Sequence, residues 1–235
     1  MVSTLSKSAL FMDLYRQLEE TAKERFHTSE GGTAIFNLAS HPNFKHLKSE
    51  IDYCREVRNL LSHRPLVDSA FPVEPSDEMI ALLRKIITTI ENPPKALSVA
   101  TLLPSLLTAG LDDLVLPVMR KMSTKNYTHV PILKNGTVLG VFSESTIFDY
   151  LSNHENIDIT SKVRFRDYME YLDLNHHPNV SFEFVSKAIL TGEAEELFKK
   201  RFNNKRLELL FITETGKSTE KLIAMLSPWD LMGQD

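Results

Sequence analysis

The stretch Ala224-Met225-Leu226-Ser227-Pro228-Trp229-Asp230 decides the fold of the C-terminal half of this chain. Its first three residues suit a strand end, and Ser227 and Pro228 suit the cap and the first position of a helix. The earlier stretch Gly140-Val141-Phe142-Ser143-Glu144-Ser145-Thr146 has the same order of residue types. Gly140, Ser143 and Thr146 correspond to Ala224, Ser227 and Asp230 at one constant offset of 84 positions (227 − 143). A constant offset indicates an internal repeat.

Each copy also has a strand pair before this helix and a further helix before the strand pair. In the first copy, Asn135-Gly136 separates two apolar runs at 129–133 and 137–142, which predicts a hairpin. In the second copy, the runs at 207–212 and 222–226 predict the equivalent strands. Residues 182–185 predict a strand, and Thr191 is the predicted cap of the next helix. The leading helix of the first copy is predicted from Leu114, Val118 and Met122, with Pro117 limiting it or shifting its start.

The N-terminal third has helical periodicity up to about residue 91 and almost no strand signal. One pattern runs from Phe11 to Leu18, a second from Phe44 to Leu61, and a third follows Ser76 as N-cap. A turn is predicted at 29–32, and Pro93-Pro94 marks a domain boundary. We therefore predict an α+β chain: an all-helical domain over 1–92, then a tandem βαββα pair with modules at 96–155 and 156–235.

Composition excludes several classes of function. The 235 residues include 27 Lys and Arg against 31 Asp and Glu, a net charge of −4, which provides no basic field for nonspecific nucleic-acid binding. The single cysteine, Cys54, fits a small core residue. No secretory pattern and no apolar run of the ~18 residues needed to span a membrane is present, so no membrane partner and a cytoplasmic location are predicted. The pair His176-His177 lacks nearby ligands at metal-binding spacing, so no metal site is predicted.

The repeated pattern resembles the tandem CBS domain pair, named for cystathionine β-synthase. The family motif is a small residue, two apolar residues, Ser or Thr, two variable residues and Asp, and it occurs complete from Ala224 to Asp230. The resemblance implies a site for an adenosine-containing small molecule: AMP, ADP, ATP or S-adenosylmethionine. Ser227 and the helix start would meet a phosphate, Asp230 would accept the two ribose hydroxyls, and the strands would form an apolar slot for adenine.

The first copy departs from the motif because Thr146 stands where the ribose-binding Asp would be. Gly140 and Ser143 keep their positions, but threonine cannot offer two acceptor oxygens to a diol. One functional site, or one strong and one weak site, is therefore expected. Arg164 and Arg166, between the copies, are candidates to meet phosphates in the cleft. The alternative for the Ser-x-x-Asp string is an ordinary helix cap.

Arg58 lies on the same helical stripe as Ile51, Cys54 and Leu61, where a charge needs a partner or an interface. The string from Arg58 to His63 resembles the signature of HEPN helical domains, several of which are dimeric, metal-independent ribonucleases. The resemblance implies that Arg58 would contact the scissile phosphate and His63 would assist proton transfer. The alternative is an interfacial Arg and a His stabilised by the helix C-terminus.

These patterns predict a regulatory protein in which a CBS pair binds an adenine nucleotide or related adenosine ligand and biases its helical domain or a partner. A homodimer is expected. Two alternatives stay open at this point: a HEPN-type ribonuclease gated by the CBS pair, with RNA as partner, and a ligand-free dimerisation scaffold.

Overall fold

The computed structural model describes residues 6–63, 71, 73–153 and 162–232. The chain divides into two compact units, Met1–Pro94 and Lys95–Asp235, and the division falls directly after Pro93-Pro94. None of the helices in the described ranges is long and apolar enough to cross a membrane.

Helices make up the described secondary structure of the first unit. They are α1 (Lys7–Phe26), α2 (Gly31–Ser40), α3 (Lys48–His63) and α4 (Asp77–Glu91), with a 3₁₀ turn at Pro42–Leu47. Their apolar faces share one core that includes Phe11, Leu18, Ile51, Leu83 and Ile90, all fully buried. Burying each such side chain contributes roughly 1.5–3 kcal/mol relative to leaving it in water.

Local capping defines where these helices begin. Ser76 accepts a hydrogen bond from the Met79 amide at 3.3 Å, so the predicted cap of α4 is confirmed. The predicted turn at 29–32 is wrong in its second half, because α2 already begins at Gly31. A Cβ at Gly31 would lie 3.0 Å from Cδ of Glu19, so the glycine lets α2 start close against the Glu19 side chain.

The second unit begins with a short strand and then the first copy of the repeat. Its elements are β1 (Thr101–Leu102), α5 (Val115–Lys125), β2 (His129–Lys134), β3 (Thr137–Ser143) and α6 (Glu144–Ser152). The strand expected ahead of α5 is reduced to a single parallel bridge between Ala109 and Ile132. Pro117 is the third residue of α5, in the first turn, where its missing N–H leaves no intrahelical bond unmade.

The second copy follows a linking segment that contains α7 (Met169–Leu172). Its elements are β4 (Val180–Ser186), α8 (Thr191–Lys199), β5 (Arg201–Phe202), β6 (Lys205–Thr213), β7 (Ala224–Leu226) and α9 (Pro228–Met232). Strand β4 is parallel to β6, and β7 is antiparallel to β6. The predicted cap is wrong by one residue: Leu190 is the N-cap of α8, and Thr191 is the first helical residue. The Glu193 carboxylate accepts a hydrogen bond from the Leu190 amide at 3.0 Å.

In each copy, the small residue that begins the motif pairs with an isoleucine on the preceding strand. Gly140 pairs with Ile132 in the first hairpin, and Ala224 pairs with Ile212 in the second. The first pair is 8 positions apart (140 − 132) and the second is 12 apart (224 − 212). The second hairpin is therefore the longer one. Asn135 and Gly136 have φ of 54° and 84°, as a tight two-residue hairpin turn requires.

A different chain segment lies against the last strand of each copy. Strand β1 pairs antiparallel with β7, with Leu102 opposite Ala224. In the first copy, the backbone of Leu172 packs on Gly140: a Cβ there would overlap the Leu172 carbonyl oxygen and lie 2.7 Å from its carbonyl carbon. Glycine at 140 is thus required by close backbone approach.

Candidate functional site

Asp230 organises the start of α9. Its Oδ2 atom accepts hydrogen bonds from the Ser227 amide at 2.7 Å and from Ser227 Oγ at 2.8 Å. Pro228 has no N–H to offer. The start of this helix therefore has fewer free backbone amides for a phosphate than the sequence predicts.

A cavity of about 970 Å³ opens beside this motif. Two of the three sequence-predicted residues of the second copy, Ser227 and Asp230, line it. Ala224 does not, being fully buried in the sheet beneath. The remaining lining comes from β1, α8, β6, β7, α9 and the segment before β2: Thr101, Asn126, Tyr127, Thr128, His129, Glu195, Phe198, Lys199, Arg206, Leu207, Glu208, Leu209, Met225, Pro228, Trp229, Leu231 and Met232.

The two cationic side chains of the cavity are each paired with a carboxylate. Arg206 Nη2 lies 2.6 Å from Glu208 Oε2. Lys199 Nζ lies 4.0 Å from Glu195 Oε2 and 2.7 Å from Glu196 Oε1. The side chain of Glu208 is 23% exposed, against 70% for Arg206, so the carboxylate lies deeper than the guanidinium.

His129 also lines the cavity and contacts Glu208, with Nε2 3.9 Å from Oε1. Its Nδ1 is 2.8 Å from Thr128 Oγ1. Burial lowers the pKa of His129, and the Glu208 carboxylate opposes that shift by raising it. The neutral imidazole is therefore favoured in a cavity wall that also contains a carboxylate.

A second buried histidine lies close by. His177 is 1% exposed, its ring packs edge-on against Phe182 with centroids 5.0 Å apart, and Nε2 has no hydrogen-bond partner among the described residues. Burial, together with the neighbouring His176, lowers the pKa of His177.

These histidines predict loss of stability in acid. Below the ordinary histidine pKa of about 6.5, the unfolded chain binds protons that the folded chain excludes, so the free energy of unfolding falls as pH falls from 7 to 5. Urea denaturation at the two pH values measures the drop. His177→Phe, which keeps the ring shape, is expected to reduce the drop. An equal drop in wild type and His177→Phe would contradict this assignment.

Among the described residues, the motif of the first copy is closed. Ser143 is 4% exposed and Thr146 is fully buried. Their side chains form a reciprocal cap, in which the Ser143 amide donates to Thr146 Oγ1 at 3.0 Å and the Thr146 amide donates to Ser143 Oγ at 3.4 Å. A smaller cavity of about 620 Å³ is lined by Leu111 and by residues of β2, β3, α7 and the segment after α7, but by neither Ser143 nor Thr146.

Arg164 and Arg166 lie away from the large cavity, and neither lines it. Arg164 Nη1 donates to the carbonyl oxygen of Asp112, and Arg166 forms an ion pair with the Asp112 carboxylate. Their predicted role of meeting phosphates in the cleft therefore stays a prediction. They connect the linking segment to the loop before α5.

Arg58 in the first unit has partners within the helices. Its Nη2 lies 3.4 Å from Glu19 Oε1, and its guanidinium lies 5.7 Å from the centroid of the Tyr15 ring. Burial and the Glu19 carboxylate raise the pKa of Tyr15 to about 12. A charge on this helical stripe was expected to need a partner, and Glu19 is that partner for Arg58. His63 is the last residue of α3, and its side chain lies outside the described part of the structure.

Sequence reasoning did not name Arg206, Glu208, Lys199 or His129 as site residues. Glu208 left a signal, because it interrupts the apolar run of the predicted strand at 207–212. The other three looked like ordinary surface or strand-end residues, and only packing between distant segments brings them together.

The CBS domain family model matches residues 99–153, so a CBS domain is present there. No curated protein sequence matches the chain. The CBS domain of a putative transporter from Clostridium difficile 630 is similar at 11% identity and a TM-score of 0.40, over 59% of this chain and 91% of that one. CBSX2 in complex with AMP is similar at 17% identity and a TM-score of 0.41, over 59% and 93%. CbpB in complex with c-di-AMP is similar at 11% identity and a TM-score of 0.43, over 59% and 81%.

Proposed function

We propose that the second unit is a pair of CBS modules, about 96–155 and 156–235, that binds one adenosine-containing molecule in the large cavity. The observation that carries this proposal is the position of Asp230, a carboxylate at the wall of a cavity that also has apolar strands and two cationic side chains. Binding would regulate the helical unit or a partner protein.

Asp230 is suited to hold the ribose. A carboxylate has about four lone-pair sites, and the hydrogen bonds from Ser227 use Oδ2 alone. Oδ1 has no protein donor recorded in the described ranges, so it has capacity for a ribose hydroxyl. Both ribose hydroxyls donating to one ionised group would form charge-assisted bonds, which are stronger than neutral ones.

The apolar part of the cavity is suited to adenine. Leu207 and Leu209 are buried in β6, and Met225 is half-buried in the adjacent strand β7. Phe198, Tyr127 and Trp229 contribute aromatic surface to the same lining. Flat apolar and aromatic walls with a few polar groups are the usual composition of a site for a ligand of this size.

Any phosphate would meet side chains and not the start of α9. The Ser227 amide already donates to Asp230, and Pro228 cannot donate. Arg206 and Lys199 are the cations of the lining. An exposed arginine can exchange a carboxylate partner for a phosphate at small cost, because surface ion pairs contribute only ~0–1 kcal/mol.

Binding at a single site per chain follows from the state of the first copy. Ser143 and Thr146 are buried and capped by each other, and Leu172 covers Gly140. Opening this region would break packing around Phe142, whose ring contacts Phe165 at 5.0 Å between centroids.

No specific observation on the described residues supports the other predictions made from the sequence. The homodimer stays a prediction, as do the dimerisation scaffold and the ribonuclease with RNA as its partner. The pairing of Arg58 with Glu19 agrees with the structural alternative for that arginine as well as with the catalytic one.

Titration calorimetry of the full chain tests the proposed function. We expect heat from at least one of AMP, ADP, ATP, S-adenosylmethionine and c-di-AMP, with a stoichiometry of one adenosine site per chain. A bound ligand should also raise the midpoint of thermal unfolding, since it stabilises only the folded state. No heat and no thermal shift with any of the five ligands would refute the proposal. Two equal sites per chain would refute the proposal that the first copy is closed to ligand.

A further inference from the structure

Resting on the proposed function, we infer that Glu208 makes the large cavity discriminate against polyphosphates, so that the preferred adenosine ligand carries one phosphate or none.

The backbone places Glu208 in the cavity by an irregularity in the sheet. Ser181 pairs with Leu207 and the next residue, Phe182, pairs with Leu209, so Glu208 is an extra residue of β6 with no counterpart on β4. Such a bulge redirects a side chain, and bulges are common beside active and binding sites. Leu207 and Leu209 on either side are buried in separate apolar clusters, while Glu208 faces the cavity.

The carboxylate is the most enclosed of the cavity's ion-paired groups. Its side chain is 23% exposed, compared with 45% for Glu195, 56% for Lys199 and 70% for Arg206. Charge interactions weaken with solvent exposure, because water and salt screen them. A negative ligand group near Glu208 is therefore repelled more strongly than the exposed cations at the rim attract it.

The net charge of the cavity lining also disfavours ligands with several phosphates. Two cations, Lys199 and Arg206, face three carboxylates, Glu195, Glu208 and Asp230, with His129 neutral. Each cation is also already paired with a carboxylate. A single phosphate can be satisfied by sharing Arg206 with Glu208. Each further phosphate adds negative charge without a further unpaired cation in the described lining.

The hydrogen-bonding capacity of Glu208 favours ligands with donors. An ionised carboxylate only accepts hydrogen bonds, and the Arg206 contact involves Oε2. Oε1 faces His129 at 3.9 Å, beyond hydrogen-bond distance. Sugar hydroxyls or an exocyclic amine can donate to this atom, whereas a phosphate oxygen cannot.

The test is competition among adenosine, AMP, ADP and ATP for the full chain, by calorimetry in the presence of a metal chelator so that ATP keeps its full charge. We expect AMP to bind roughly tenfold more tightly than ATP, the size of one partly screened charge interaction at effective dielectric 20. Glu208→Gln keeps the shape of the side chain and removes the charge, and should reduce that ratio to near one by strengthening ATP binding. Glu214→Gln, which removes an exposed carboxylate outside the cavity lining, is the matched control and should leave the ratio close to that of the wild type.

Three outcomes are distinct. If an adenosine compound binds and Glu208→Gln removes the preference for AMP, the inference is supported. If ATP binds the wild type as tightly as AMP, or if Glu208→Gln leaves the ratio unchanged, the inference fails while the proposed function stands. If none of the four compounds binds, the inference fails, and the proposed function fails with it only if S-adenosylmethionine and c-di-AMP also give no heat.

Discussion

Gly140→Ala is expected to cost the second unit about 3 kcal/mol of folding free energy, at the upper end for overpacking by a single methyl group. The added Cβ would overlap the carbonyl oxygen of Leu172 and approach its carbonyl carbon to 2.7 Å. These are backbone atoms, so no side-chain rotation can relieve the overlap, and β3 and the linking segment must separate. Hydrogen exchange of the β2 and β3 amides measures the loss locally.

Gly110→Ala is the matched control in the same unit. A Cβ at Gly110 would meet its nearest neighbours, Asp113 Oδ2 and the Leu133 carbonyl oxygen, at 3.7 and 3.8 Å, which is ordinary van der Waals contact. Its effect should stay within about 1 kcal/mol. If the β3 amides exchange equally slowly in Gly140→Ala and in the wild type, the backbone of Leu172 does not pack against this strand in solution.

Asp230→Ala is expected to weaken binding of the adenosine ligand about 100-fold. The variant removes the proposed charged acceptor for two ribose hydroxyls, and hydrogen bonds to charged groups contribute roughly 1.5–3 kcal/mol each. Titration calorimetry with the tightest ligand of the wild type gives the change in Kd directly. Glu144→Ala removes a carboxylate from the first turn of α6, outside the cavity, and should bind as the wild type does.

A second variant separates ligand contact from helix capping. Asp230 also accepts the Ser227 amide and hydroxyl, so Asp230→Ala weakens the start of α9. Ser227→Ala removes the hydroxyl donor but leaves the carboxylate in place, and should change Kd by less than about tenfold. If Ser227→Ala were as damaging as Asp230→Ala, the role of Asp230 would be to hold α9 and not to bind ribose.

Much of the local structure was predictable because short-range chemistry determines it. The Asn135-Gly136 turn needs two residues that tolerate positive φ, and both strands around it are where the sequence predicts them. The Ser76 cap of α4 and the Ser143 cap of α6 each involve atoms no more than three residues apart. Thr191 shows the limit of the approach, since Glu193 two residues later caps α8 through the Leu190 amide and moves the boundary by one residue.

The site was only partly predictable. Ser227 and Asp230 were identified from the repeat, and they do line a cavity. Arg164 and Arg166 have the right charge for a phosphate, yet they pair with Asp112, which lies more than fifty positions earlier in the chain. A sequence pattern cannot choose between a ligand and a distant carboxylate as the partner of an arginine.

The amino-acid sequence by itself determined the repeat, the strand and helix types in each copy, and the difference between Asp230 and Thr146 at equivalent positions. These depend on propensities and on hydrogen bonds between near neighbours in the chain. Only the tertiary structure decided that the backbone of Leu172 packs on Gly140 in the first copy and that a bulge directs Glu208 into the cavity of the second. Both depend on how segments far apart in sequence pack against each other.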